Sequence, residues 1–315
     1  MVIVCPQCRK STIDLADPTC RKCRWRGDWV HGIPRLLVDP SDTKDSSSAY
    51  RGHYESLAAS DLETPVLGVD YLGYQAQNLV RYIGRAGGLA VCDVGCGRGT
   101  LSTLLAGRGA RVTAVDLSVN YLRQLGQSAG DIRMICCDAD NLPFEEEFDL
   151  VVSTDVMEHT LRPGGFLYSV NHALKPGGRA YIRVPYRENL LSYAPQLGCG
   201  YQLVHLRSYN KPLLRDIFGS AGFKVERFHL DGFSLGTPWP WLQRQNSMLA
   251  IRYNKFAERV RARRRSAAAV TMWPSWLARL MMRPLEIVVR ARKLKSIEPA
   301  PGGTMYRLVA NAVTG

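Results

Sequence analysis

The chain has 315 residues, 46% of them apolar and 22% charged. That is enough for one substantial core plus a small appendage, and it excludes a disordered chain. The formal charge is +13, but fourteen Lys and Arg between Arg244 and Lys295 face only Glu258 and Glu286, and the rest of the chain is nearly neutral. The excess belongs to one segment, which excludes a uniformly basic surface.

The chain opens Met1-Val2-Ile3-Val4-Cys5-Pro6, without the basic-then-apolar leader of a signal peptide. Cys5, Cys8, Cys20 and Cys23 then form C-x2-C-x11-C-x2-C. Two such knuckles can present four thiolates tetrahedrally, so residues 1–40 are expected to be a ribbon holding Zn2+. Arg21, Lys22, Arg24 and Arg26 offset the negative charge of that site. The other five cysteines are scattered, some in predicted strands, and nine is an odd total. Both points argue for a reducing, cytoplasmic compartment.

Residues 39–48 read as a polar linker and residues 50–88 as helical, most clearly 71–83. From Leu89 short apolar runs alternate with helix-length segments. The runs lie at 90–94, 112–115, 134–137, 150–153, 180–184 and 224–228. Alternation of this kind predicts an α/β fold with a doubly wound, Rossmann-like parallel sheet, here of seven strands. Residues 41–235 form this domain, with residues 303–315 as its closing strand.

The first of these strands runs into a glycine-rich turn, Asp93-Val94-Gly95-Cys96-Gly97-Arg98-Gly99-Thr100. Glycine permits close backbone approach to a ligand, and the helix that follows offers unpaired N–H groups. Asp116 ends the next strand and can accept from both hydroxyls of a ribose. A dinucleotide site would read G-x-G-x-x-G; here the third position after Gly97 is Thr100.

This turn resembles motif I of the class I S-adenosylmethionine (SAM)-dependent methyltransferases, in their ubiquinone/menaquinone-type branch (methyltransferase type 11). Further stretches agree in order: Val115-Asp116-Leu117-Ser118, Cys137-Asp138-Ala139-Asp140-Asn141-Leu142-Pro143-Phe144, Phe148-Asp149-Leu150-Val151-Val152 and Leu174-Lys175-Pro176-Gly177-Gly178. The resemblance implies SAM as cofactor. Gly95, Cys96, Gly97 and Gly99 would pass under its methionine part and Asp93 would face its amino group. Asp116 and Leu117 would hold the ribose side, Asp138 and Ala139 the adenine, and Thr154 and Asp155 the methyl-donor side. The front module resembles the zinc ribbons that activate methyltransferases, and those fused to some RNA guanine methyltransferases. It therefore does not choose a substrate.

Asp155, Glu158 and His159 follow the fourth strand. A similar stretch holds a divalent cation in ubiquinone-pathway O-methyltransferases, with a longer acid in place of Asp155. His159 is equally a candidate general base, since an unperturbed imidazole titrates near pH ~6.5, or simply a packed histidine. Asp155 and His205 are the other catalytic candidates.

Residues 236–302 read as a basic helical insertion. Over 277–295, Arg279, Arg283, Glu286, Arg290 and Lys293 fall on one stripe at helical spacing, opposite an apolar side. Flanking tryptophans suit a peripheral membrane contact on the inner face, docking on the protein itself, or RNA. The expected activity is O-methylation of a small-molecule, lipid-linked or surface-glycan acceptor. The rivals are an RNA base methyltransferase and a non-catalytic SAM-binding subunit that docks a partner through the ribbon.

Overall fold

A computed structural model describes residues 1–38, 47–63, 69–127, 131–160, 162–187, 205, 207–234, 248, 251–252, 255 and 283–296. The ribbon contributes a hairpin, β1 (Asp28–Val30) and β2 (Ile33–Arg35). Two helices follow, α1 (Ser47–Glu63) and α2 (Val69–Ile83). The alternating region then runs β3 (Ala90–Val94), α3 (Thr100–Ala106), β4 (Arg111–Asp116), α4 (Val119–Gly126) and β5 (Arg133–Cys136). A short 3-10 turn (Ala139–Asn141) leads to β6 (Phe148–Thr154), α5 (Pro163–Ala173), β7 (Leu174–Pro185), α6 (Lys211–Ser220), β8 (Phe223–Ser234) and β9 (Arg283–Lys293).

The sheet order is β1-β2-β5-β4-β3-β6-β7-β9-β8. Strands β5, β4, β3, β6 and β7 run parallel, whereas β9 is antiparallel to both β7 and β8. Alternate residues of each parallel strand enter opposite layers. Val91 packs with α2, α3 and α4 through Leu79, Leu101 and Leu122; Cys92 and Val94 pack with α5 and α6 through Phe166 and Leu214. Runs apolar at every position are what burial on both faces demands. The order reverses at β3, with β4 on one side and β6 on the other. In an open α/β sheet the crevice at the carboxyl ends of such a pair is where ligands sit.

Three expectations need revision. The sheet has nine strands rather than seven, because the ribbon hairpin joins it: Arg35 pairs with Cys136, and Leu36 N–H donates to the Cys136 carbonyl at 2.8 Å. Within the segment 277–295, residues 283–293 are not part of an amphipathic helix but form β9. Ile287, Val288, Val289 and Ala291 are buried on both faces of the sheet. A short run buried on both sides carries no period of two, so helical spacing fits it by accident; the β-branched Ile287-Val288-Val289 is the signal that points to a strand. Arg290 and Lys293 accordingly do not form a membrane-facing stripe: Arg290 pairs with Glu226 at 2.8 Å and the buried Lys293 with Glu146 at 3.3 Å. Finally, β9 fills the place assigned to a closing strand at 303–315, and those residues lie outside the described ones, as do the tryptophan and arginine runs of the insertion. No helix among the described residues is long and apolar enough to cross a membrane.

Candidate cofactor and acceptor site

The glycine-rich turn is built by three left-handed residues with different neighbours. Gly95 has φ 70°, and a Cβ there would lie 2.2 Å from Val156 Cγ2; Gly99 has φ 74°, and its Cβ would lie 2.3 Å from Leu125 Cδ1. Those two positions are closed by the protein itself. Gly97, at φ 50°, faces open space, with nothing within 4 Å of where a Cβ would stand. The turn is tied to the next strand where Gly95 N–H and Cys96 N–H both donate to the Val115 carbonyl, at 2.8 and 3.0 Å.

Two acids flank this open position. Asp93, in β3, accepts from Ser102 Oγ at 2.6 Å. Burial, with a contribution from Asp116, raises its pKa to about 7. Asp116 closes β4 and accepts from Gly97 N–H and Ser118 N–H, both at 2.9 Å. Burial raises it to about 6 despite those two bonds, and the Glu55 charge adds to the rise. Both are thus poised to ionise fully when a cation or hydroxyl donors arrive. Leu117 lies half-buried beside them. Asp138 and Ala139 follow β5, where Asp138 caps the 3-10 turn by accepting from Asp140 N–H at 2.9 Å. Thr154 ends β6, paired with Arg183 of β7. The proposed cofactor residues therefore gather at adjacent carboxyl ends of β5, β4, β3 and β6.

Helix α1 lies across this edge and adds residues that no motif singles out. Glu55 accepts from Val119 N–H, Ser118 Oγ and Asn120 Nδ2 at 2.8, 2.6 and 3.0 Å, so it caps α4 from outside. Asp61 accepts from Arg98 Nε and Tyr121 Oη at 2.9 and 3.0 Å. The helix docks through charges, so no apolar stripe announces it.

On the other side of the crevice, the structure brings two of the catalytic candidates together and sets the third apart. His159 and His205 meet edge to face with centroids 4.6 Å apart, and Tyr54 of α1 meets His159 at 6.2 Å. Tyr209 Oη donates to the Met157 carbonyl at 3.2 Å and Arg207 Nη1 to the Thr160 carbonyl at 2.6 Å, holding Arg207 and Tyr209 against the 157–160 turn. Burial, then the neighbouring His205, lowers His159 to about 4. It stays neutral at physiological pH, and is a weaker base than an unperturbed imidazole. Glu158, His159 and His205 offer donor atoms within 4.8 Å of one another. Asp155 is not in that group: at φ 57° it turns its carboxylate onto the buried guanidinium of Arg183. Arg183 also reaches Glu286 at 3.4 Å and Gln75 Oε1 at 3.0 Å, and Gln75 Nε2 donates to Glu286 at 2.6 Å. Burial raises Glu286 to about 8, so Asp155 is the counterion of Arg183.

In the ribbon the four cysteines converge, with Sγ atoms of Cys5 and Cys23 at 3.6 Å and of Cys8 and Cys20 at 3.7 Å. None is disulfide-bonded. Tetrahedral zinc with bonds of about 2.3 Å requires sulfur–sulfur edges of about 3.8 Å. The donor set therefore fits the metal in type and spacing.

Residues 92–182 match the family profile described as Methyltransferase domain. The chain is 37% identical over 114 residues to a ubiquinone biosynthesis O-methyltransferase of Pseudomonas paraeruginosa, covering 33% of this chain and 48% of that protein. It is 32% identical over 107 residues to the enzyme of the same name from Leptothrix cholodnii, covering 32% and 46%. The chain thus spans about half the length of these relatives. Among solved structures it is similar to the Burkholderia thailandensis 1,6-didemethyltoxoflavin-N1-methyltransferase with bound 1,6-didemethyltoxoflavin and S-adenosylhomocysteine. The TM-score is 0.52 at 19% identity, covering 85% of this chain and 99% of that one.

Proposed function

We propose, on the premise that this chain carries a class I SAM-dependent methyltransferase domain, that it transfers the SAM methyl group to an oxygen of a small-molecule, lipid-linked or surface-glycan acceptor. The observation that carries the reading is the open Gly97 position between Asp93 and Asp116 at the strand-order reversal, with the His159–His205 pair across the crevice. Asp93 faces the SAM ammonium, Asp116 the ribose and Asp138 the exocyclic amine of adenine. The sulfonium is already a strong electrophile, so alignment of donor and acceptor supplies much of the rate. A neutral histidine beside the acceptor takes up the proton that its hydroxyl releases. The similarity to ubiquinone O-methyltransferases over about a third of this chain supports an oxygen acceptor by analogy. The four-cysteine ribbon holds Zn2+ and uses it as a folding clamp.

The test pairs calorimetric titration of S-adenosylhomocysteine (SAH) with transfer of labelled methyl to phenolic, lipid-linked and glycan hydroxyls and to ribosomal or transfer RNA. Label on a hydroxyl is the expected result. Label in RNA, abolished with salt, would install the nucleic-acid reading instead. Metal analysis should find one zinc per chain, lost in Cys5→Ser and Cys20→Ser.

A further inference from the structure

The two knuckles of the ribbon are local copies of each other. In each, the residue after the second cysteine is left-handed, Arg9 at φ 52° and Arg24 at φ 62°. In each, its N–H donates at 2.9 Å to the carbonyl of the first cysteine, Cys5 or Cys20. Their side chains nevertheless differ in fate. Arg24 is exposed. Arg9 reaches into the methyltransferase domain, where its Nη1 donates to Asn141 Oδ1 at 3.1 Å and to the Leu142 carbonyl at 3.0 Å.

The contact is reciprocal and local. Asn141 Nδ2 donates back to the Pro6 carbonyl, within the first knuckle, at 2.8 Å. Val4 N–H donates to the Pro143 carbonyl at 2.9 Å, and Ile3 bridges Phe144. Asn141 ends the 3-10 turn that begins beside Asp138, and its own N–H donates to the Asp138 carbonyl at 3.0 Å. A contiguous line of bonds therefore runs from the Cys5–Cys8 knuckle through Arg9 and Asn141 to Asp138.

We propose that Arg9 is a positioning residue through which the metal-bound ribbon sets the adenine side of the cofactor site. This rests on the reading of Asp138 as the adenine contact. The knuckle fixes the backbone of Arg9, Arg9 fixes Asn141 and Leu142, and the turn then presents Asp138 to the exocyclic amine. The ribbon in this way acts on SAM affinity and base selectivity while remaining outside the crevice. A guanidinium suits the task, because it can satisfy two neighbouring acceptors in a fixed plane.

The test is calorimetric titration of the zinc-loaded full chain with SAH and with S-inosyl-L-homocysteine, which lacks the exocyclic amine. The wild type is expected to prefer SAH. Arg9→Ala and Asn141→Ala should weaken SAH binding about tenfold, as when the competent population of the turn falls to a tenth. They should weaken the inosyl compound far less, so that the ratio of the two affinities collapses towards one. Arg9→Lys should recover part of the loss, and Arg24→Ala should change nothing. Wild-type SAH affinity in both Arg9→Ala and Asn141→Ala would overturn the proposal. So would an equal loss for the two ligands, which would mark a general loss of structure. Failure of the wild type to bind SAH at all is a different result: it removes the cofactor reading and the proposal with it.

Discussion

The two walls of the crevice are made of different materials. The cofactor wall is backbone: a left-handed glycine turn, amide donors and two acids at the ends of β3 and β4. The proposed acceptor wall is ionic and assembled from distant segments, with Arg183 of β7 between Asp155 after β6 and Glu286 of β9, and Gln75 of α2 bonded to both Arg183 and Glu286. The difference teaches where specificity can change. A wall of backbone suits one shared ligand, whereas a wall of side chains from several elements can be refitted without disturbing the turn.

The sharpest way to break this contrast is to put a side chain on each glycine. Gly95→Ala drives a Cβ into Val156 at a left-handed φ, and should cost several kcal/mol of stability, about 3 by the usual size of such clashes and strain. Gly97→Ala meets open space. It should leave the thermal midpoint within a few degrees of wild type and still weaken SAH binding by at least about tenfold, since the new carbon occupies the ligand's side. Melting curves and titrations on the two variants check both halves.

On the other wall, Arg183→Met leaves Asp155, 33% exposed, without its buried guanidinium partner. Breaking a fully buried pair from one side costs about 3–5 kcal/mol; solvent at Asp155 brings the expected loss down to about 2 kcal/mol, again visible as a lowered melting midpoint. Glu286→Gln should be nearly silent at low pH. Its folded pKa lies near 8, above the ordinary carboxylate value, so the folded state holds a proton the unfolded state has released. Wild-type stability attributable to this group is therefore full below about pH 4.5 and declines as pH rises towards 8. The variant should gain on wild type across that interval; a pH-independent difference would show that Glu286 is ionised.

Cofactor affinity should carry a smaller pH signature of its own. With Asp93 near 7 and Asp116 near 6 in the free protein, ionised carboxylates are scarce at about pH 5.5 and prevalent at about pH 8. SAH binding should tighten over that range by about tenfold, with proton release, and then level off. Asp93→Asn should flatten the upper part of the curve. The smallest effect expected is at Glu55: Glu55→Gln keeps α1 in place but weakens its charged cap on α4, about 1 kcal/mol, and should speed SAH release a few-fold in stopped-flow traces.

The same contrast governs how much of the molecule is legible in its sequence. The cofactor wall uses residues close along the chain, with chemistry imposed by the backbone, so Asp93, the three glycines, Asp116 and Asp138 stand out from their spacing and motifs. The cysteine knuckles are legible for the same reason. The acceptor wall is made by tertiary placement. Nothing local to Arg183, Glu286 or Glu55 says that each will meet a partner far along the chain. His159 stands out from its motif, but its downward shift comes from burial and from His205, which no spacing rule supplies. β9 escapes such a reading because burial on both faces erases the alternation by which a strand is usually recognised.

That strand has a consequence for biogenesis. β9 sits between β7 and β8, yet the chain traverses residues 235–282 before reaching it. Until residues 283–293 are made, the slot between β7 and β8 is empty and the edge of β7 is open. Such a gap is a site for non-native pairing between nascent chains. At the opposite margin the ribbon hairpin, made earlier, is already available to pair with β5 through Arg35 and Cys136.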